Sequence, residues 1–309
     1  MIRIFFLLGI SLLMACTPKE MHLPVTPEQT YIEILGIAQD AGFPQIACKK
    51  ECCKAAWENP VIRKQVSCIG LIDPNEKKTW LFDATPSIKT QTQKLAEKGS
   101  LEGVFLTHAH MGHYTGLMHF GREALGAKGI TVYAMPRLDS FLQMNGPWSQ
   151  LVGLKNIDIQ QINNQERITI AKNIIVTPLQ VPHRDEFSET VGYLIKGPKK
   201  SALFIPDIDK WHLWDQDIKQ LIQQVDYALL DGSFYKNGEI PGRDMSLIPH
   251  PFIEESMALF KDLPLEEKQK IIFIHFNHTN PLLQINSPER TEVLTAGFQI
   301  AAEGMVLEL

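Results

Sequence analysis

The chain has 309 residues, 44% of them hydrophobic and 21% charged, and a formal charge of −5 from 30 basic and 35 acidic side chains. That length and composition suit a globular protein of one large domain or two small ones. Like charges gather only in short pairs such as Lys49-Lys50 and Lys199-Lys200, which reads as solvated loops and excludes the basic footprint of a nucleic-acid binder.

The chain opens with Arg3 and an apolar stretch over residues 4–14, too short to cross a bilayer of roughly 30 Å as a helix. Basic-then-apolar is the order of a secretory signal. It runs into Leu13-Met14-Ala15-Cys16, which resembles the bacterial lipobox, whose cysteine is lipidated after the preceding peptide is removed. With Thr17 rather than Asp after the cysteine, that resemblance implies an exported protein, lipid-anchored to the outer membrane and facing the periplasm or surface. Residues 17–30, with three prolines and no periodicity, read as a tether. No linker divides 31–309, which reads as one domain.

Residues 31–37, 65–72, 79–83 and 103–106 are rich in β-branched and aromatic side chains and predict strands. Residues 85–98 predict a helix, with Thr85 or Ser87 as cap and Gly99 at its end. A second helix is expected over 117–126, directly after a run of histidines. Strands follow at 130–134, 173–181, 190–196 and 201–206, the last two joined by a Gly-Pro-Lys-Lys turn. Then come a helix (218–225), a strand (227–230), a helix (252–259) and a buried strand (271–275). A helix over 290–296 and strands at 299–302 and 305–309 complete the chain. Strands joined partly by hairpins and partly by helices, in two successive halves, predict two sheets with helices outside.

Five cysteines are present. If Cys16 carries a lipid, Cys48, Cys52, Cys53 and Cys68 are left. The first three cluster as a metal knuckle would, and an exported protein can equally close Cys48 onto Cys52 or Cys53 as a disulfide. Cys68 falls inside an apolar strand and reads as a core thiol or as a fourth ligand.

The chemistry centres on His108-Ala109-His110-Met111-Gly112-His113, which follows the strand Gly103-Val104-Phe105-Leu106 and Thr107. Three imidazoles at the end of a buried strand are costly without a partner, and neutral imidazole is a ligand for Zn²⁺ and for iron. Alternation lets His108 and His110 point the same way, with His113 approaching after a turn.

Thr-His-x-His-x-x-His-x-x-Gly after a strand resembles the first metal motif of the metallo-β-lactamase superfamily. The resemblance implies an α/β, four-layer αβ/βα sandwich with metal at the edge where the two sheets meet. It also implies three separated ligands, each at a strand terminus: His183, Asp207 and His275. His108, His110, His183 and Asp207 would form a first site, and His113, His275 and Asp207 a second. Gly112 departs from the pattern, since the superfamily places Asp there as ligand and water orienter. A well-held first metal and a weak or altered second one are therefore expected, so one or two Zn²⁺ or Fe²⁺ ions.

Gly42-Phe43-Pro44-Gln45, Leu230-Asp231-Gly232-Ser233-Phe234, Gly242-Arg243-Asp244-Met245 and His275-Phe276-Asn277-His278-Thr279-Asn280-Pro281 resemble the PqqB branch, whose members act in pyrroloquinoline quinone biosynthesis. That branch implies a structural zinc at Cys48, Cys52 and Cys53, favoured here over the disulfide. The export signal departs from it, because such biosynthesis is cytoplasmic. Asp231, Arg243, His250, His278 and Asn280 are expected in loops near the metal rim. Asp207, Asp231 and Arg243 are the expected catalytic contributors. Asp207 would orient metal or water, Asp231 would support a ligand histidine, and Arg243 would grip a carboxylate or phosphate bidentately.

Three functions follow. One is a hydrolase whose metal-activated water attacks an ester, amide, lactone or phosphate bond. Another is an iron-dependent hydroxylase of a tyrosine-derived substrate, as the PqqB resemblance implies. The last is a non-catalytic, anchored metal or ligand binder. The substrate would be a small or peptide-derived molecule, and oligomeric state is left open.

Overall fold

The computed structural model describes residues 27–309. The expected leader, its Cys16 and the tether as far as residue 26 lie outside the described residues. The remainder of the tether region is already tied down: Gln29 reaches Glu308, and the Thr30 carbonyl accepts from Leu309. No described helix is long and apolar enough to cross a membrane.

The first half of the chain forms β1 (Tyr31–Gly36), β2 (Cys68–Asp73), β3 (Lys78–Phe82), β4 (Ser100–Phe105), β5 (Ile130–Ala134) and β6 (Ile157–Gln161). The second forms β7 (Ile168–Ala171), β8 (Ile174–Gln180), β9 (Val191–Lys196), β10 (Ser201–Ile205), β11 (Tyr227–Asp231), β12 (Ile271–Ile274) and β13 (Gln299–Ile300). A last strand, β14 (Val306–Glu308), returns to pair with β1, so the sheets run β14-β1-β2-β3-β4-β5-β6 and β13-β12-β11-β10-β9-β8-β7. Each sheet has an antiparallel part made of hairpins and a parallel part made of crossovers: β3 to β6 in one, β10 to β13 in the other.

Period-two alternation sorts the side chains. Ile32, Ile34, Trp80, Phe82 and Phe105 face the second sheet, while Tyr31, Leu35, Leu81 and Val104 face the opposite way under helices. Between the sheets, Phe82 stacks on Phe105 at 5.0 Å and meets Tyr193 edge-on at 5.4 Å. Burying this much aromatic surface is what clamps the two sheets.

The helices are α1 (Glu51–Glu58), α2 (Ile88–Ala96), α3 (Met111–Tyr114), α4 (Pro136–Met144), α5 (Trp148–Gly153), α6 (Ile218–Gln223), α7 (Ile253–Phe260), α8 (Leu265–Lys268) and α9 (Pro288–Thr295). Residues from α2, α4 and α5 cover the outer face of the first sheet, and residues from α6, α7 and α9 pack with the second. The expected helix over 117–126 is instead a 3₁₀ turn, Thr115–Phe120. The cause is local: the Gly116 N–H is taken by the Ala84 carbonyl at 2.8 Å, and a Cβ at Gly116 would lie 2.2 Å from the Thr85 oxygen. The chain is pinned to the strand ends there and cannot coil freely.

Candidate metal centre

Parallel strands present their carboxyl ends at one edge, and in open α/β sheets ligands bind there. That edge carries Asp83 just past β3, His108 just past β4, Asp207 past β10, Asp231 at the end of β11 and His275 just past β12. His183 arrives from the loop after β8. All six are buried.

The side chains fall into two adjoining groups. His108, His110, His183 and Asp207 bring four potential ligand atoms within 4.8 Å of one another, and Asp40, His113 and His275 bring three. Asp207 stands between them. Its Oδ2 lies 3.4 Å from His108 Nε2 and 3.7 Å from His113 Nε2, and its Oδ1 lies 3.3 Å from His183 Nε2. The structure therefore assembles all six expected histidine and aspartate candidates at one edge.

One nitrogen of each ring is committed to the protein. His113 Nδ1 is 2.7 Å from Asp83 Oδ2, His183 Nδ1 is 3.0 Å from Asp209 Oδ1, and His275 Nδ1 is 2.9 Å from Ser233 Oγ. His108 Nδ1 meets the Thr107 hydroxyl at 2.9 Å, and His110 Nε2 meets Glu186 Oε2 at 3.0 Å. Such outer partners set the tautomer and aim the other nitrogen. The nitrogens so aimed include His113 Nε2, His183 Nε2 and His275 Nε2. Together with Asp40 Oδ1 and Asp207 Oδ1 they are buried with no hydrogen-bond partner among the described residues. Folded proteins leave few such atoms, and each calls for an explanation. Two of the five belong to the first ligand group and three to the second, and each set fits a bound cation.

Electrostatics agrees. Burial pushes His108, His110 and His275 below the ordinary histidine range, into the neutral form that ligates. Burial also opposes charge on His113, but Asp83 and then Asp40 outweigh it and raise that ring well above its usual range. Asp207 is opposed by burial too, and His183 and His250 nonetheless hold it well below the carboxylate range. The pocket is built to attract positive charge. Two of its residues are also strained: Asp83 at φ 71° and His275 at φ 67° occupy the left-handed region that non-glycine side chains avoid. Such strain costs on the order of 1–3 kcal/mol per residue and gathers at functional sites.

The other expected residues divide. Asp231 accepts from the Ile208 and Ser233 amides at 3.1 and 2.8 Å and holds His250 Nδ1 at 2.9 Å. With Asp207 and His250 it forms a third group of potential ligand atoms within 4.8 Å, and it positions His250, whose Nδ1 is 3.1 Å from Asp207 Oδ1. Arg243 is exposed in the loop between β11 and α7, and its guanidinium makes no hydrogen bond or ion pair among the described residues. No contact there supports the expected catalytic role, because the loop's own apolar cluster (Phe234, Met245, Ile248, Phe252) turns inward and leaves Arg243 outside. Asn280 caps a turn, donating to the Gly232 carbonyl at 2.8 Å and accepting from Leu282 at 2.9 Å.

His278 lines a cavity with Asp40 but joins none of the histidine–aspartate ligand groups. It joins Cys48, Cys52 and Cys53 in a second four-ligand group within 4.8 Å, the donor set of a closed structural zinc site. The cysteines are unpaired, so the disulfide alternative is not formed here. Burial, with the neighbouring thiols, pushes Cys53 up to about 12. Cys68 is fully buried on the far face of β2, beneath the helices, and is a core thiol.

Asp209 and Glu186, which orient His183 and His110, escaped the sequence reading, and so did two more carboxylates. Asp83 is the carboxylate that orients His113. Asp40 lies on the loop after β1, and its signal was Gly112: an ideal Cβ there would sit 2.1 Å from Asp40 Oδ1 and 2.7 Å from its Cα.

A two-sheet αβ/βα sandwich with a histidine–aspartate centre at its strand edge defines the metallo-β-lactamase class, and the chain belongs to the beta-lactamase superfamily domain family, which it matches over residues 78–276. Within that class its relatives are PqqB proteins. It is 26% identical to coenzyme PQQ synthesis protein B of Methylorubrum populi, over 90% of this chain and 100% of the relative. The Acinetobacter baumannii protein of the same name is 28% identical over the same shares. The crystal structure of Zn²⁺-bound PqqB from Methylobacterium extorquens superposes with a TM-score of 0.76 at 25% identity, covering 90% of this chain and all of that one.

Proposed function

We propose that this protein is a metal-dependent hydrolase acting on an ester, amide, lactone or phosphate bond. The observation that carries the reading is Asp207, whose Oδ2 lies near His108 of one ligand group and His113 of the other, while unpaired imidazole nitrogens line both groups. A divalent cation bound there supplies Lewis acidity and lowers the pKa of water toward about 7.

The chain's own residues do the rest. His108, His110, His183 and Asp207 would hold the ion, and Glu186 keeps the His110 ring turned so that Nδ1 faces inward. Asp231 fixes His250 beside Asp207, where the imidazole can pass a proton. Phe187, exposed next to Glu186, leans on Phe141 at 5.4 Å, and Tyr114 packs on Trp148 at 4.8 Å. This aromatic wall beside the histidine loop offers an apolar surface for a substrate.

The second reading, a step in quinone cofactor synthesis, is favoured by the PqqB relatives. The two readings separate by metal and chemistry. Protein purified without oxygen or chelators is expected to carry zinc and to turn over a chromogenic ester or phosphodiester, with His110→Ala losing the first-site zinc equivalent and the turnover. Near-stoichiometric iron, with oxygen uptake and no hydrolytic turnover, would overturn the hydrolase and favour the oxidative reading.

A further inference from the structure

The superfamily's second metal site draws its terminal carboxylate from the position that is Gly112 here, so this chain should lack it. The space is not empty. A side chain at 112 and the Asp40 carboxylate are mutually exclusive, since a Cβ on Gly112 would overlap Asp40 Oδ1 at 2.1 Å and Asp40 Cα at 2.7 Å. Asp40 Oδ1 is buried, has no hydrogen-bond partner among the described residues and lies 3.5 Å from His113 Nε2. The His113 and His275 Nε2 atoms share that state, and the three donors lie within 4.8 Å of one another.

The loop is held for the task. The Gln39 N–H donates to the Phe276 carbonyl and the Phe276 N–H to the Ile37 carbonyl, both at 2.8 Å, so the backbone flanking Asp40 is laced to the residue after His275. Gly42, at φ 74°, turns the chain beyond, and Phe43 and Lys64 exchange two backbone bonds. Further along the same two loops, Cys48 and His278 meet in the cysteine group. A carboxylate delivered from this loop is as constrained as one on the histidine turn.

We propose that Asp40 is the terminal carboxylate of a second cation site completed by His113, His275 and Asp207, relocated onto the loop after β1 in place of a ligand at 112. The proposal rests on the metallo-hydrolase reading and makes the centre a two-ion one.

The test is metal content of the full chain after zinc loading and desalting, with zinc titration calorimetry and the visible spectrum of the cobalt form. Asp40→Ala and the shape-preserving Asp40→Asn are expected to bind one equivalent fewer, or to hold it more than tenfold more weakly, with circular dichroism unchanged. Gly112→Asp alone, meeting Asp40, is expected not to improve on the wild type. Asp40 variants that retain every equivalent at wild-type affinity would overturn the proposal. A wild type whose metal content equals that of His110→Ala would instead sink the hydrolase reading, so the two failures are distinguishable.

Discussion

Asp83→Asn is nearly isosteric, yet its effect on metal binding should be large. Asp83 is fully buried, and its Oδ1 accepts from the Thr107 N–H at 2.8 Å and the Thr107 hydroxyl at 2.9 Å. Its Oδ2 takes the His113 Nδ1 proton at 2.7 Å, which leaves a lone pair on Nε2, the atom aimed at the ligand group. An asparagine that keeps its oxygen toward the Thr107 amide turns its NH₂ toward His113. The ring must then accept at Nδ1 and carry its proton on Nε2, where it can no longer ligate. Flipping the amide rescues His113 but sets NH₂ against the Thr107 N–H. Losing an orienting partner costs about 10–100-fold in metal affinity, or roughly 1.4–2.7 kcal/mol. The lost charge-assisted hydrogen bond should cost about 1.5–3 kcal/mol of stability as well. Zinc titration of chelator-stripped protein, with thermal melts with and without metal, reads both. Asp83→Asn with second-site affinity within about twofold of wild type would refute the tautomer argument.

Two further outcomes are expected. Glu239 accepts from Tyr235 N at 2.6 Å and from the Thr279 hydroxyl, and burial pushes it up to about 7. Its folded-state value exceeds the unfolded one, so the folded protein holds a proton the open chain has released. Stability should therefore fall as pH rises from about 4.5 to about 7, by on the order of 2 kcal/mol after allowing for partial solvent access. Glu239→Gln should flatten that slope in urea unfolding at pH 5 and 8, and an unchanged slope would reject it. His278→Ala should remove one bound zinc and expose Cys48, Cys52 and Cys53 to thiol reagents. Native protein with these thiols oxidised and no zinc at this site would show a disulfide instead.

What the sequence made legible was chemistry packed into short spans or set at strand ends. His108, His110 and His113 fall within six residues after an apolar strand, so their convergence needs no tertiary knowledge. His183, Asp207 and His275 each follow a strand, and a family pattern supplied their order. Asp83 also follows a strand, but a left-handed backbone aims it at His113, and nothing local foretells that conformation. Neighbouring motif residues also misled: His278 sits three positions from His275 yet serves a different ligand group, because the backbone between them turns away after Phe276. The α4–α5 hairpin went unread although Pro136 stands at a helix start, since only Leu138, Leu142 and Leu151 of it are buried and each helix is short. Closure of the first sheet by β14 is a pairing of chain ends and leaves no local signal.

The relocated carboxylate has a consequence for how the two kinds of site depend on each other. Ordering a loop residue costs about 1–2 kcal/mol of backbone entropy, so a ligand on a loop binds well only if something else has already fixed that loop. Backbone bonds between Gln39 and Phe276 do part of this, and the cysteine group does the rest by joining Cys48 to His278 across the same pair of loops. Zinc at the cysteines would therefore lower the cost of presenting Asp40 and His275 together. By linkage the dependence is reciprocal: a cation between Asp40, His113 and His275 tightens the cysteine site by the same factor. A carboxylate at residue 112 would need no such help, because the histidine turn is already anchored by the Ala84–His113 and Ala84–Gly116 backbone bonds. Moving the ligand from 112 to 40 would thus place a second ion at this centre under the control of a structural one.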